Sequence, residues 1–298
     1  MVFIENLSFR YRGADGNALS GINLEIPDGG FLGIIGSSGA GKSTLAYCLN
    51  GIVPHHYAGD FYGRVLVNGM DTVEAGTESL SRQLGSVFQD IDGQMVASVV
   101  EDEILFGLEN FGVPGPEIER RMEEALAAAG IGPLRTRTIS SLSGGQRQKV
   151  AIAAITALRP RVIVLDEPTG ELDPQSSRKI FEYLRDLNEK HGITIIIVEQ
   201  KIMLLCEFCK SMAVMNRGEL IRQGTVREVL QRPDILEEAG VNIPRVTTLG
   251  NRLRERGLYR KDLPYDLNQA RVMAEELLSA SAGKAGRELP GEANHAAL

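Results

Sequence analysis

The chain has 298 residues, of which 43% are hydrophobic and 24% charged, as in a globular protein with room for one large or two modest cores. A formal net charge of -7 and an isoelectric point near 5.3 argue against general nucleic-acid binding, which needs a basic surface to replace phosphate counterions. No apolar run reaches the roughly 18 residues of a membrane-spanning helix, and the first residues lack the features of a secretory signal. We therefore expect a cytoplasmic protein.

Two kinds of β-strand are predicted. Apolar and polar residues alternate over residues 3–11, 22–26 and 65–67, which is typical of antiparallel strands with one buried face. Three other runs are apolar without alternation, as expected for strands covered on both faces of a parallel sheet. These runs are residues 31–35, 162–165 and 193–198.

A helix-rich stretch covers residues 99–158. Its clearest helix follows Pro116, ends at Gly130 and carries apolar residues on one face, namely Ile118, Met122, Ala125, Leu126 and Ala129. Beyond this stretch, residues 212–221 predict a hairpin. Residues 279–298 are mostly Ala, Gly, Ser, Glu and Pro, a composition that buries little surface and predicts a flexible tail.

The most informative segment follows the first non-alternating apolar strand and precedes a helix-compatible run. It fits G-x-x-x-x-G-K-[ST], whose glycines let backbone N–H groups surround phosphate oxygens while the helix N-terminus adds its positive dipole. Lys42 is expected to reach the β and γ phosphates, and the Ser43 hydroxyl to ligate Mg²⁺. The predicted ATP-binding residues of this loop are Gly36, Ser37, Ser38, Gly39, Ala40, Gly41, Lys42, Ser43 and Thr44.

Two carboxylates follow the apolar run at residues 162–165. Asp166 is expected to hold Mg²⁺ through its water shell, and Glu167 to polarise the water that attacks the γ phosphate. Together with the phosphate loop, this pair predicts ATP hydrolysis.

A third motif, Leu142-Ser143-Gly144-Gly145-Gln146, separates one class of P-loop protein from the others. With this segment the chain resembles the ATP-binding cassette (ABC) family, whose signature sequence is LSGGQ. The resemblance implies that the Ser143 hydroxyl, the Gly145 N–H and the helix N-terminus bind the γ phosphate of an ATP held by a different subunit. It also implies obligatory pairing, in which two ATP molecules lie between two cassettes. The signature residues that would bind nucleotide are Ser143, Gly144, Gly145 and Gln146.

Three further residues fall on positions that match family motifs. Tyr11 resembles the aromatic residue that stacks on adenine, although a strand aromatic in the core would also fit. Gln89 resembles the glutamine that touches Mg²⁺ and the lytic water and couples the site to the membrane partner. Asp173, in the sequence Gly-Glu-Leu-Asp, resembles the D-loop aspartate that reaches across the dimer.

One position departs from the family pattern. Where the family places a histidine that contacts the γ phosphate, this chain has Gln200. Removing a charge-stabilising donor typically costs roughly 2.7 to 4 kcal/mol of barrier, but a glutamine amide keeps a donor and loses only the positive charge. We therefore expect slowed rather than abolished hydrolysis; the alternative is a heterodimer with one weakened site. The predicted catalytic residues are Glu167, Gln200 and Gln89, and the predicted metal ligands are Ser43, Gln89 and Asp166.

The sequence around Gln89 narrows the resemblance. Residues 88–95 and 99–110 are similar to the ATPases of energy-coupling factor (ECF) transporters, which import vitamins and transition-metal ions, although Ile91 stands where that family usually has proline. Residues 51–55 and 239–246 also resemble the ECF family. Members of that family carry a C-terminal segment beyond the cassette. The resemblance implies docking on a membrane coupling protein through a groove near Gln89 and the helical subdomain.

The expected fold is α/β: a P-loop NTPase with a RecA-like parallel sheet core, an N-terminal antiparallel β subdomain, an inserted α-helical subdomain and a small C-terminal extension. The predicted nucleotide-binding domain covers residues 1–232 and includes the helical subdomain at about residues 90–160. Residues 233–278 form the predicted ECF-type extension, and residues 279–298 the tail.

The predicted function is the ATP-binding and ATP-hydrolysing subunit of an ABC importer, ECF-type by resemblance, that powers uptake of a vitamin or metal ion. Expected partners are a second ABC ATPase subunit, identical or different, a transmembrane coupling protein and a substrate-binding membrane protein, without nucleic acid. With ATP and Mg²⁺ as cofactors, the chain would lie peripherally at the cytoplasmic face of the cell membrane.

Two other functional classes stay open. One is the ATPase of another class of ABC importer. The other is a soluble ABC ATPase of DNA repair, chromosome organisation or translation. Such proteins usually carry a long coiled-coil insertion, zinc or iron-sulfur cysteines, or a second cassette, and none of these is evident in the sequence.

Overall fold

A computed structural model of the chain describes residues 1–285. In this part the strands are β1 (Val2–Tyr11), β2 (Leu19–Ile26), β3 (Phe31–Ile35), β4 (Gly59–Val67), β5 (Met70–Asp71), β6 (Leu84–Val87), β7 (Val162–Asp166), β8 (Thr194–Val198), β9 (Ser211–Asn216) and β10 (Glu219–Thr225). The helices are α1 (Lys42–Leu49), α2 (Ile52–His55), α3 (Thr77–Ser81), α4 (Ile91–Gln94), α5 (Val100–Asn110), α6 (Gly115–Ala129), α7 (Gly144–Ala157), α8 (Pro174–His191), α9 (Ile202–Phe208), α10 (Val226–Leu230), α11 (Pro233–Glu238), α12 (Arg245–Glu255) and α13 (Leu267–Ala285).

The N-terminal strands form an antiparallel sheet in the order β2-β1-β4-β5. The alternation along β2 places Leu19, Ile22, Leu24 and Ile26 inside and the residues between them outside, as predicted. These side chains share one core with α1 and with one face of the second sheet, through residues such as Leu45 and Val164. The antiparallel sheet therefore packs as a layer over the phosphate loop's helix.

The second sheet has the order β10-β9-β3-β8-β7-β6. Its strands pair in parallel except for β10, which forms an antiparallel hairpin with β9. Every residue of β3, β7 and β8 is buried, as predicted for strands covered on both faces. Because parallel strands end at the same edge, the segments after β3, β6, β7 and β8 meet at one side of the molecule.

The helical layer contains α5, α6 and α7, which pack against one another and against the parallel sheet. Four apolar residues of α6 are buried, namely Met122, Ala125, Leu126 and Ala129. The helix ends at Gly130, whose backbone lies in the left-handed region with φ of 65°. The predicted amphipathic helix is therefore present with its buried face and its glycine stop.

Beyond the cassette, α11, α12 and the segment before α13 form a small extension. Its interior is held by the Gln231 amide, whose oxygen accepts from the Leu263 N–H and from Arg254, and by the Thr247 hydroxyl, which donates to the Pro264 carbonyl over 2.6 Å. Helix α13 continues into the segment for which composition predicts a tail, and residues 286–298 of that segment lie outside the described residues. Along residues 1–285, no helix combines the length and apolar character needed to cross a membrane.

Candidate active site

The phosphate loop joins β3 to α1 and passes close to neighbouring backbone. A Cβ atom at Gly36 would lie 2.3 Å from the carbonyl oxygen of Met215, and one at Gly41 would lie 2.6 Å from that of Ala18. The φ of Gly41 is 95°, a conformation that a side chain would strain. Only glycine fits at both positions, and α1 begins directly after the second of them, so its N-terminus faces the loop interior.

Lys42, the first residue of α1, is buried and reaches back over the loop. Its Nζ donates to the carbonyl oxygens of Gly36 over 3.0 Å and of Ser37 over 2.8 Å. Burial lowers the pKa of Lys42, whereas the carboxylates of Glu167 and Asp166 raise it. The ammonium thus lies between the loop and the acidic pair, where it can meet phosphate charge.

Asp166 ends the buried strand β7 with its side chain facing Ser43. Burial raises the pKa of the Asp166 carboxyl, while a hydrogen bond from the Ser43 hydroxyl lowers it. Its Oδ1 atom is buried and has no hydrogen-bond partner in the described part of the chain. An unpartnered buried carboxylate oxygen beside a hydroxyl is a donor set that suits Mg²⁺, which prefers oxygen ligands.

Glu167 follows with a left-handed backbone, φ 48°, which is uncommon outside glycine and concentrates at functional sites. Its N–H donates to the carbonyl oxygen of Val198 over 2.9 Å, which fixes it beside the end of β8. The Gln200 amide, just beyond that strand, donates from Nε2 to Glu167 Oε1 over 2.7 Å. Two of the three predicted catalytic side chains, those of Glu167 and Gln200, therefore contact each other directly.

Two residues that the sequence reasoning did not single out hold this arrangement. The buried Glu199 carboxylate accepts from the Thr169 hydroxyl and from the N–H groups of Gln200 and Lys201. Lys201 Nζ donates to the carbonyl oxygens of Thr169 and Leu172 and to the Ser177 hydroxyl. The segment after β8 is thereby tied to the loop after Glu167. An acidic residue directly after an apolar strand was the available signal for Glu199.

A cleft of about 1160 Å³ gathers the acidic pair and its neighbours. Gln89, which follows β6, is exposed on its wall, and within residues 1–285 its side chain makes no hydrogen bond. The residues that line the cleft include Ser43, Gln89, Asp166, Glu167, Gln200 and Asn242. All predicted metal ligands and catalytic residues are brought together here.

Tyr11 lies on the other side of the phosphate loop, at the end of β1. Its hydroxyl and that of Thr44 are 3.1 Å apart and share a hydrogen bond. Its ring packs edge-on against Phe9 at 4.8 Å between centroids, and the side chain is half-buried. The ring also packs edge-on against Tyr57 at 6.1 Å between centroids, so Tyr11 is both a strand aromatic and a neighbour of the loop.

The signature residues lie at the start of helix α7, where Gly144 lines the catalytic cleft and the other three face a different pocket. Ser143 caps the helix, because its Oγ accepts from the Gln146 N–H over 3.3 Å while Gln146 Oε1 accepts from the Ser143 N–H over 2.9 Å. A Cβ atom at Gly144 would lie 3.3 Å from Leu172, and one at Gly145 would lie 3.2 Å from Ser176. Ser143, Gly145 and Gln146 line a pocket of about 350 Å³ to which no residue of the phosphate loop contributes.

Asp173 begins α8 and caps it. Its Oδ1 accepts from the N–H groups of Gln175 over 2.9 Å and of Ser176 over 3.0 Å. A hydrogen bond with the Ser176 side chain is the largest cause that lowers the pKa of Asp173, and the bond from the Ser176 N–H is the next. One carboxylate oxygen is therefore used within the chain, and the side chain is otherwise exposed.

Comparison with protein-family models matches residues 19–170 to the family described as ABC transporter. A putative ABC transporter ATP-binding protein of Pyrococcus abyssi is 38% identical over 92% of this chain and 97% of its own length. The energy-coupling factor transporter ATP-binding protein EcfA1 of Caldanaerobacter subterraneus subsp. tengcongensis is also 38% identical, over 92% of this chain and 99% of its own length.

Solved structures agree with this relationship. CbiO1 from Clostridium perfringens, described as part of the ABC transporter complex cbiONQ, superposes with a TM-score of 0.70 at 35% identity, covering 83% of this chain and 97% of that one. The cassette MJ0796, solved as a dimer in a post-hydrolysis state with ADP and Pi, superposes with a TM-score of 0.66 at 28% identity, covering 76% and 99%. The predicted P-loop NTPase fold is confirmed.

Proposed function

The chain belongs to the family of ABC transporter ATP-binding proteins and is an ATPase, and on that premise we propose that it powers an ECF-type importer of a micronutrient, either a vitamin or a transition-metal ion. The observation that carries the proposal is the match to EcfA1, which extends over 99% of that protein's length and so includes the extension after the cassette.

Within the site, residues 36–44 bind the triphosphate through backbone N–H groups, the α1 N-terminus and the Lys42 ammonium. Tyr11, whose hydroxyl lies 3.1 Å from that of Thr44, would stack on adenine beside the loop. The Ser43 hydroxyl and Asp166, with Gln89, would hold Mg²⁺, which when bound neutralises charge on the β and γ phosphates. The unpartnered Oδ1 of Asp166 supports that assignment.

For hydrolysis, Glu167 accepts a hydrogen bond from the attacking water and orients it toward the γ phosphate. Gln200, already bonded to Glu167 over 2.7 Å, holds that carboxylate and offers its amide to the developing charge. Because Glu199 and Lys201 tie this segment to the loop after Glu167, both groups keep their mutual geometry.

Because Ser143, Gly145 and Gln146 face a pocket to which the phosphate loop does not contribute, we propose that the signature residues serve an ATP bound by a second cassette. Ser143 and the N-terminus of α7 would bind its γ phosphate, with Gly144, Gly145 and Gln146 shaping the approach. Asp173 would meet the partner cassette with its exposed carboxylate.

The membrane partners would be a transmembrane coupling protein and a small substrate-binding membrane protein, placing the chain peripherally on the cytoplasmic face. The helical subdomain supports such docking, since Val96 is 65% exposed and Phe106 is 47% exposed. Contiguous exposed apolar surface marks sites of protein interaction, and we propose that these two side chains belong to one such surface.

The test is affinity purification of the full chain from mild-detergent extracts of its native membranes. We expect both membrane proteins to co-purify in fixed stoichiometry, and Phe106→Glu to lose them. Tyr62→Glu is the matched control, because Tyr62 is 66% exposed on the antiparallel sheet. Recovery of ribosomes, DNA or no partner would contradict the proposal.

A further inference from the structure

The extension that follows the cassette touches the start of the phosphate loop. The Ser37 N–H donates to the carbonyl oxygen of Ala239 over 3.1 Å. The next residue, Gly240, has a φ of 66°, and a Cβ atom there would lie 3.4 Å from Ser37 Cβ. The turn between α11 and α12 therefore packs directly on the loop.

This contact lies at the terminal-phosphate end of the loop. Ser37 also accepts, through its carbonyl oxygen, a hydrogen bond of 2.8 Å from the Lys42 ammonium. Lys42 is the loop residue whose chemistry places it at the β and γ phosphates. The opposite end of the loop is marked by the bond between Tyr11 and Thr44. One residue, Ser37, thus contacts both Lys42 and the extension.

Asn242 follows this turn and lines the catalytic cleft together with Glu167 and Gln200. Its side chain is exposed and, within the described part of the chain, makes no hydrogen bond. An amide provides two N–H donors, which suit phosphate oxygens. Asn242 is therefore a donor without a partner among residues 1–285, on the side of the cleft where the terminal phosphate is expected.

We propose that Asn242 is a further nucleotide-contacting residue, whose amide donates to the γ phosphate of bound ATP. The proposal rests on the proposed role of residues 36–44 as the phosphate cradle. Because ADP lacks the γ phosphate, the contact makes the extension part of the discrimination between ATP and ADP. The turn between α11 and α12, which lies outside the cassette, would then contact ATP but not ADP.

Binding of ATP and of ADP to the full chain, each with Mg²⁺, tests the proposal by calorimetry in a Glu167→Gln background that suppresses hydrolysis. Asn242→Ala should weaken ATP binding about tenfold, the size expected for a hydrogen bond to a charged group. ADP binding should stay within about twofold. Asn242→Asp should weaken ATP binding further, because a carboxylate repels the γ phosphate.

Asn251→Ala is the matched control, since Asn251 lies in the same extension and donates to Glu255 over 3.0 Å. It should leave both dissociation constants unchanged. Unchanged ATP binding in both Asn242 variants, or equal loss of ATP and ADP binding, would overturn the proposal. Failure of the background protein itself to bind ATP would instead overturn the assignment of the phosphate cradle.

Discussion

Gln200 is the residue at which this site differs from the family pattern, and its bond to Glu167 gives that difference a testable consequence. Gln200→Ala removes the donor and should lower kcat by about 5- to 10-fold, the rate equivalent of about one hydrogen bond. Gln200→His should raise kcat, because an imidazole can add positive charge near the γ phosphate.

Steady-state ATPase assays of the three proteins under saturating Mg-ATP would measure this effect. Glu167→Gln, which retains a similar shape but cannot act as a base, provides the rate without the water-orienting carboxylate. Thermal unfolding of each variant checks that the fold is intact. Equal kcat for wild type, Gln200→Ala and Gln200→His would remove Gln200 from the mechanism.

At the same scale, the sequence predicted candidate residues for the chemistry but not the contacts that orient them. The loop pattern and the acidic pair are local motifs, so their types and spacing were readable directly. The bond between Gln200 and Glu167 joins residues 33 positions apart, and the contact between Ser37 and Ala239 joins residues still more distant. Such contacts depend on the order of the strands in the sheet, which cannot be predicted from the spacing of motifs along the sequence.

Among elements, the N-terminus of α7 has two roles that mutation can separate. Ser143→Ala removes a capping box and should cost about 1 kcal/mol of stability. It should also reduce ATPase activity by about tenfold or more, because the same hydroxyl is proposed to bind a γ phosphate.

Thr225→Ala is the matched control, since Thr225 and Glu228 form the same capping box at α10. Both variants should lose similar stability in urea unfolding, and only Ser143→Ala should lose activity. Comparable activity losses in the two variants would attribute the effect of Ser143 to folding alone.

Strands and helices were predicted correctly where their apolar residues follow one unbroken pattern. The fully apolar strands β3, β7 and β8 and the amphipathic α6 were all predicted from pattern. Strand β6 was not predicted, because Gly85 and Ser86 interrupt its apolar pattern. The structure gives the reason for the glycine: a Cβ atom there would lie 2.1 Å from Ile155, so only glycine allows α7 to pack this closely.

For the whole molecule, the burial of Asp166 implies a conflict between folding and function. Its folded-state pKa is raised, so as pH rises from the ordinary carboxyl range through that raised pKa, the nucleotide-free fold loses stability. Asp166→Asn removes this cost and should raise the melting temperature at neutral pH by about 2 to 4 °C, equivalent to about 1 kcal/mol.

Calorimetric melting of nucleotide-free protein at pH 7.5 and at pH 4.5 would measure the difference between variant and wild type. The increase in melting temperature should be smaller at pH 4.5, because a larger fraction of folded wild-type protein then has Asp166 protonated and uncharged. Glu171→Gln removes an exposed carboxylate from the same cleft and should change stability by less than about 0.5 kcal/mol. A loss of stability in Asp166→Asn at neutral pH would contradict the argument.

The position of β6 in the sheet has a mechanical consequence. This strand is only four residues long and, within residues 1–285, pairs with β7 alone, so its backbone groups are hydrogen-bonded on one side. Gln89 lies two residues after it, whereas Asp166 and Gln200 follow the interior strands β7 and β8. We therefore expect a force applied at Gln89 to act on the less supported edge of the sheet, while Asp166 and Gln200 follow strands that are paired on both sides. Backbone hydrogen exchange should be faster in β6 than in β7. A docked partner would then shift β6 without disrupting β7.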